Sequence, residues 1–143
     1  MLPSDLAKII EEYHHAADAF MKGNSQPLKN LYSRRDDITI ANPFGPAARG
    51  WKKAAETIDR AASNYREGEA TGFERTSDYA TADLAYIVEL EHLRSKVGGS
   101  DKFAPISLRV TTIFRREDSG WRIIHRHADP ITAPRAAASI VAQ

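Results

Sequence analysis

The chain changes its hydrophobic period part-way along, and that change limits the folds open to it. Up to about residue 68 apolar residues recur every three or four positions; beyond it they alternate. Leu6, Ile9, Ile10, Tyr13, Ala16, Ala17 and Phe20 fall on one face of an amphipathic helix, with Ser4 as its expected N-cap and Gly23-Asn24 as its stop. A shorter helical turn carries Leu28, Leu31 and Tyr32. A short strand, Ile38 to Ala41, then runs into a Pro/Gly loop. The helical period returns at Trp51 and continues through Ala54, Ala55, Ile58, Ala62 and Tyr65 to Gly68.

After that point the pattern predicts strands over 69–77, 83–94, 106–116 and 121–128. Glu117-Asp118-Ser119-Gly120 is a hairpin signal, so the last two strands are expected to be direct neighbours. Helices first and antiparallel strands afterwards give an α+β fold, with the helices on one side of a curved sheet. At 143 residues the chain suits one domain, expected over 1–130. A C-terminal tail over 131–143 is expected as a short helix or a frayed end.

Strand alternation assigns faces. In the third strand of this set Leu108, Val110, Thr112 and Phe114 oppose Arg109, Thr111, Ile113 and Arg115. In the last, Trp121, Ile123, His125 and His127 oppose Arg122, Ile124 and Arg126. In the second, the apolar set Leu84, Tyr86, Val88 and Leu90 opposes a set carrying Glu89 and Glu91. The apolar sets are expected beneath the helices. Glu89 and Glu91 are expected outside, in a charge lattice with Arg109, Arg115, Arg122 and Arg126.

Composition removes several function classes. A net charge of +1 leaves no basic stripe for nucleic acid. Zero cysteines excludes thiol nucleophiles, disulfides and thiolate metal sites. No apolar run approaches the roughly 18 residues of a membrane span. Asp5, Glu11 and Glu12 break up the opening segment where an export signal is continuously apolar. The expectation is a cytoplasmic protein without a membrane or nucleic-acid partner.

Three stretches carry a family resemblance: I-I-x-x-Y in the first helix, N-P-F-G-x-x-x-R-G-W at 42–51 and G-W-R-I-I-H-R-H at 120–127. They resemble the nuclear transport factor 2-like superfamily, or cystatin-like cone, and within it the SnoaL-like branch. The association domain of calcium/calmodulin-dependent kinase II and, more distantly, ketosteroid isomerase are similar too. The resemblance implies a cone of helices on a strongly curved antiparallel sheet, a small-molecule pocket inside, and a homodimer through the sheet face. It implies neither a cofactor nor a single activity, since the superfamily holds isomerases, cyclases, dehydratases and pure oligomerisation domains.

Carried over residue by residue, the isomerase pattern places its helix tyrosine at Tyr13, its aspartate base at Asn42 and its second aspartate at Thr112. An amide cannot serve as that base. Tyr13 and Thr112 keep a hydrogen-bond donor each. The kinase domain's arginines fall near Val88, Thr112 and Ala128, and so do not carry over. By face, His125 becomes the candidate general base, with Tyr13 or Thr112 as oxyanion donor; a satisfied core histidine is the equal alternative for His125. Asn42, Trp51, Tyr86, Val88 and His127 are the expected ligand-facing residues. His125 and His127 stand about 7 Å apart on one strand face, but no third ligand has a spacing that demands zinc, so no metal is expected. The functional expectation is a small dimeric protein holding an apolar, carbonyl-bearing molecule, with acid–base chemistry as one outcome and non-catalytic binding or assembly as the other.

Overall fold

The computed structural model describes residues 2–142. Helices α1 (Ser4–Phe20), α2 (Gln26–Lys29) and α3 (Trp51–Ala62) cover one face of a six-stranded sheet. Its strands are β1 (Thr39–Ala41), β2 (Ala48–Arg49), β3 (Tyr65–Ala80), β4 (Leu84–Val97), β5 (Phe103–Glu117) and β6 (Gly120–Asp129), in the order β2-β1-β6-β5-β4-β3. This is the α+β architecture expected, with one addition. Short β1 runs parallel to β6, Thr39 opposite His125, while β3 to β6 are antiparallel. Among the described residues no helix is long and apolar enough to cross a membrane.

Helix α1 forms where its stripe predicts and buries Leu6, Ile10, Tyr13, Ala16 and Ala17 against the sheet. Burying a side chain of the leucine or isoleucine size stabilises the fold by roughly 1.5–3 kcal/mol. Ser4 is the first helical residue and not the cap; Pro3 occupies the cap position. Asp5 ties the helix start to the sheet by accepting from Trp121 Nε1 (3.2 Å) and Arg116 (2.8 Å). Helix α3 stops at Ala62, short of Gly68, because Asn64 Nδ2 caps the carbonyls of Arg60 and Ala61 and Tyr65 opens β3. Gly68 touches β4 so closely that a Cβ there meets the Arg94 carbonyl at 2.2 Å, which explains the irregular register of β3 at this point. Residues 137–140 form an exposed 3-10 turn.

Two face assignments are reversed. In β4 the buried set is Ala85, Ile87, Glu89, Glu91 and Leu93, so Tyr86, Val88 and Leu90 lie on the outer face. In β6 the alternation breaks at Ile124. Phe114 pairs with Ile123 and Ile113 with His125, leaving Ile124 as an extra residue. This bulge turns Arg126 inward and sends His125 and His127 outward. The expected outer charge lattice does not form: Arg109 pairs with Asp129, Arg115 with Asp37 and Glu117, and Arg126 with Glu91 inside the molecule.

Candidate functional site

Four side chains from four elements meet beneath the helices. Tyr13 of α1 donates its hydroxyl hydrogen to Glu91 Oε2 of β4 at 2.6 Å. Arg126 of β6 donates from Nε to the Tyr13 oxygen at 2.7 Å and from Nη2 to Glu91 Oε1 at 2.9 Å. Thr112 of β5 donates to the same tyrosine oxygen at 3.4 Å. Tyr13, Glu91 and Thr112 are buried and the Arg126 side chain is 12% exposed.

The electrostatics follow from that burial. Removal from water pushes the Tyr13 hydroxyl well above its usual range; Arg126 opposes the shift and Glu91 adds to it. Burial alone lowers the Arg126 value, but Tyr13 and Glu91 outweigh it and the guanidinium is held more firmly charged than usual. The cluster is an ion pair bridged by a phenol, with both carboxylate oxygens committed.

Tyr13, Glu91 and Arg126 form the polar end of a narrow cavity whose other walls include Ile40, Ile58 and Leu108. Its volume is about 30 Å³, room for about two water molecules. Phe44, about half exposed, is also part of its wall, with its ring tilted against Tyr65 at a centroid distance of 5.9 Å. Asn42 also lines the cavity, and its Oδ1 accepts from the Phe44 N–H at 2.9 Å, setting the turn that carries Phe44.

The other expected site residues lie elsewhere. His125 is on the outer face, its Nδ1 hydrogen-bonded with Thr39 Oγ1 at 2.6 Å, and partial burial together with His127 lowers its pKa. His127 bonds to Asp129 at 3.0 Å on the same face. Tyr86 stands beside Tyr79 on that face, with Val88 further along it, facing a groove with Ile113 and His125. Trp51 packs near Tyr32 under the Arg34 guanidinium, 3.7 Å from its ring centre, outside the cavity. Of the eight residues, only Tyr13 and Asn42 line the cavity, and Thr112 stands behind it, bonded to the Tyr13 hydroxyl.

The model of the SnoaL-like domain family matches residues 8–133, nearly the whole chain. The chain is a SnoaL-like protein. The SnoaL-like chain is also similar to solved structures at the level of fold. A nuclear transport factor 2-like superfamily protein from Salmonella enterica serovar Typhimurium shares 15% identity at a TM-score of 0.76, covering 96% of this chain and 95% of that one. A ketosteroid isomerase-like protein from Erwinia carotovora atroseptica shares 18% at 0.72, covering 92% and 100%. A cystatin-like-fold protein from Novosphingobium aromaticivorans shares 20% at 0.63, covering 97% and 88%. Among curated proteins none matches the chain.

Sequence reasoning about this SnoaL-like chain missed Glu91 and Arg126, the two charges at the polar end. One signal for Glu91 was present. Ala85, Ile87 and Leu93 share its face, an apolar frame around two carboxylates. No comparable signal marked Arg126, because strict alternation places it with Arg122 and Ile124.

Proposed function

We propose that this SnoaL-like protein binds an apolar, carbonyl-bearing small molecule in the cone, with its polar end against Arg126, Tyr13 and Glu91. One observation carries this reading: a buried ion pair in the wall of a cavity whose remaining walls are mostly apolar. Each buried ion costs several kcal/mol to desolvate, and a pocket with a few convergent polar groups is what small-molecule sites share. A guest larger than a few atoms enters by displacing Phe44, whose loop borders a second groove along α3.

Acid–base chemistry of the isomerase, cyclase or dehydratase kind falls here to Glu91 as proton acceptor and Tyr13 as donor. It begins when the ligand oxygen takes over the hydroxyl hydrogen that Tyr13 now gives to Glu91. His125 has no place in this scheme, because the sheet separates it from the cavity. A second reading, a non-catalytic ligand-binding or oligomerisation module, is favoured by the closed hydrogen-bond network, which leaves no carboxylate oxygen of Glu91 uncommitted. Glu91→Gln separates the two: loss of turnover with ligand binding retained supports chemistry.

The pocket itself is tested by Ala17→Leu, which fills it from α1. Ligand-observed NMR is expected to detect carbonyl compounds bound to the wild type and lost in the variant. Binding that survives Ala17→Leu refutes the location.

In this reading the protein is a homodimer through the outer sheet face. The support is the apolar set Leu84, Tyr86, Val88 and Ile113 on a face that no helix covers. Ile113→Glu is expected to sediment as a monomer, and a dimer that persists in that variant removes this part of the proposal. A cytoplasmic setting suits a chain without cysteine.

A further inference from the structure

A groove of about 490 Å³ runs between the segment that follows α2 and the β5–β6 hairpin, and it shares no wall residue with the cavity. Arg34, Arg35 and Arg122 line it, with Glu117 as the one carboxylate among its described lining residues, so the lining carries a net charge of +2. The whole chain carries only +1. Glu117 is already committed: Arg115 reaches its Oε2 at 2.8 Å, and Arg35 stands 3.6 Å from the same oxygen. Among the described residues neither Arg34 nor Arg122 has a carboxylate within ion-pair distance.

Both guanidiniums are nevertheless held in place. Arg122 donates from Nε to Ser119 Oγ at 3.0 Å and from Nη1 to the Asn30 carbonyl at 2.8 Å, two neutral acceptors that leave Nη2 uncommitted. Arg34 rests on Trp51 with its Cζ 3.7 Å from the ring centre, a contact made by the face of the cation. Its N–H groups bond no acceptor among the described residues. Burial, and the charge of Arg122 nearby, lower the Arg34 pKa from its ordinary value. The Ser119 hydroxyl accepts from Arg122 and keeps its own hydrogen free, and Asn30 commits its Oδ1 to Gln26 while Nδ2 bonds nothing among the described residues. What this wall offers is donors and positive charge, so the group it lacks is an anionic acceptor.

Charge decides which anion. A carboxylate cancels one of the two unpaired guanidiniums, whereas a phosphate dianion cancels both and presents oxygens to each arginine. We propose that Arg34 and Arg122 hold a phosphate dianion in this groove, either the free ion or the end group of a small organic phosphate. The site is separate from the cavity and does not depend on what the cavity binds.

The test is isothermal titration calorimetry on the full chain at pH 8 and low ionic strength, with inorganic phosphate, phenyl phosphate and benzoate as probes. Both phosphates are expected to saturate one site, and benzoate, with a single charge, to bind at least tenfold more weakly. Tighter binding of phenyl phosphate than of inorganic phosphate assigns the site to an organic phosphate; equal binding assigns it to the free ion. Arg34→Gln and Arg122→Gln are each expected to weaken phosphate binding about tenfold. Arg60→Gln, which removes an exposed cation of α3 outside the groove, is expected to leave it unchanged. Circular dichroism checks that each variant is folded; Arg34, exposed and without a hydrogen bond among the described residues, tests the site even if Arg122→Gln disturbs the hairpin. No saturable binding of either phosphate overturns the inference, as does benzoate binding as tightly as phenyl phosphate. Equal weakening by Arg60→Gln and Arg34→Gln overturns it too, since that is the behaviour of a diffuse ion atmosphere.

Discussion

Arg126 shows how one residue decides what the interior of this protein is like. It brings a charge beneath the helices, and Glu91 and Tyr13 are the partners that make that charge tolerable. Removing one member of a buried pair leaves the other unbalanced and typically costs about 3–5 kcal/mol, whereas replacing both by apolar groups is often neutral or stabilising. Arg126→Met is therefore expected to destabilise by about 3–5 kcal/mol, and Glu91→Leu combined with it to recover most of the loss. Chemical denaturation of the two variants measures this; equal losses in single and double variants contradict the pairing account. Asn42 illustrates the opposite case, since its contribution is to a turn: it lines the cavity and fixes Phe44 through one backbone hydrogen bond.

At the scale of the element, the bulge in β6 is the device that builds the site. Successive residues of a strand face opposite ways, so one inserted residue inverts everything after it. Ile124 is that residue, and the inversion places Arg126 inside and His125 outside. Deleting Ile124 removes the extra residue while keeping Ile123 opposite Phe114 and His125 opposite Ile113, so it is expected to leave the histidine outward and the arginine inward. The deletion is predicted to cost less stability than Arg126→Met and to retain ligand binding, as melting curves and titration measure. A deletion variant that loses binding and melts no higher than Arg126→Met contradicts Ile124 as the inserted residue. Helix α1 is fastened by a second, parallel contact one residue further along. His14 Nε2 bonds to Glu89 at 2.8 Å, and Arg75 of β3 donates to the other oxygen of that carboxylate at 3.0 Å.

For the whole molecule, these paired carboxylates set the response to acid. Burial by itself raises the pKa of Glu89, but His14 and Arg75 outweigh it and hold the value below 4.5. Asp18, Asp59 and Glu117 are held low by their own partners. A carboxylate whose folded-state pKa lies below its unfolded value stabilises fully above the unfolded value, and loses that contribution as pH falls through the folded one. The melting temperature is thus predicted to be steady at neutral pH and to drop once pH falls below about 4.5. Glu89→Gln is predicted to lower stability at pH 7 and to flatten the acid slope; an unaltered slope removes Glu89 from the account.

The residue patterns were enough for the α+β class, the first helix, the helical face of α3 and the β5–β6 hairpin, because each follows from local periodicity and turn chemistry. Tyr13 and Thr112 were legible as inward residues for the same reason: each sits in a regular element whose period, helical for Tyr13 and alternating for Thr112, is uninterrupted. Glu89 and Glu91 were not. A carboxylate is buried only when partners neutralise it, and those partners come from α1, β3 and β6, far away in sequence. Arg126 and His125 depended on a single unpaired residue in a strand, which alternation cannot register. By itself, the sequence determined which segments are helix and strand and which broad family they build. The tertiary structure alone decided which face of β4 and of late β6 looks inward, because burying charge is a matter of long-range partnership and not of local pattern.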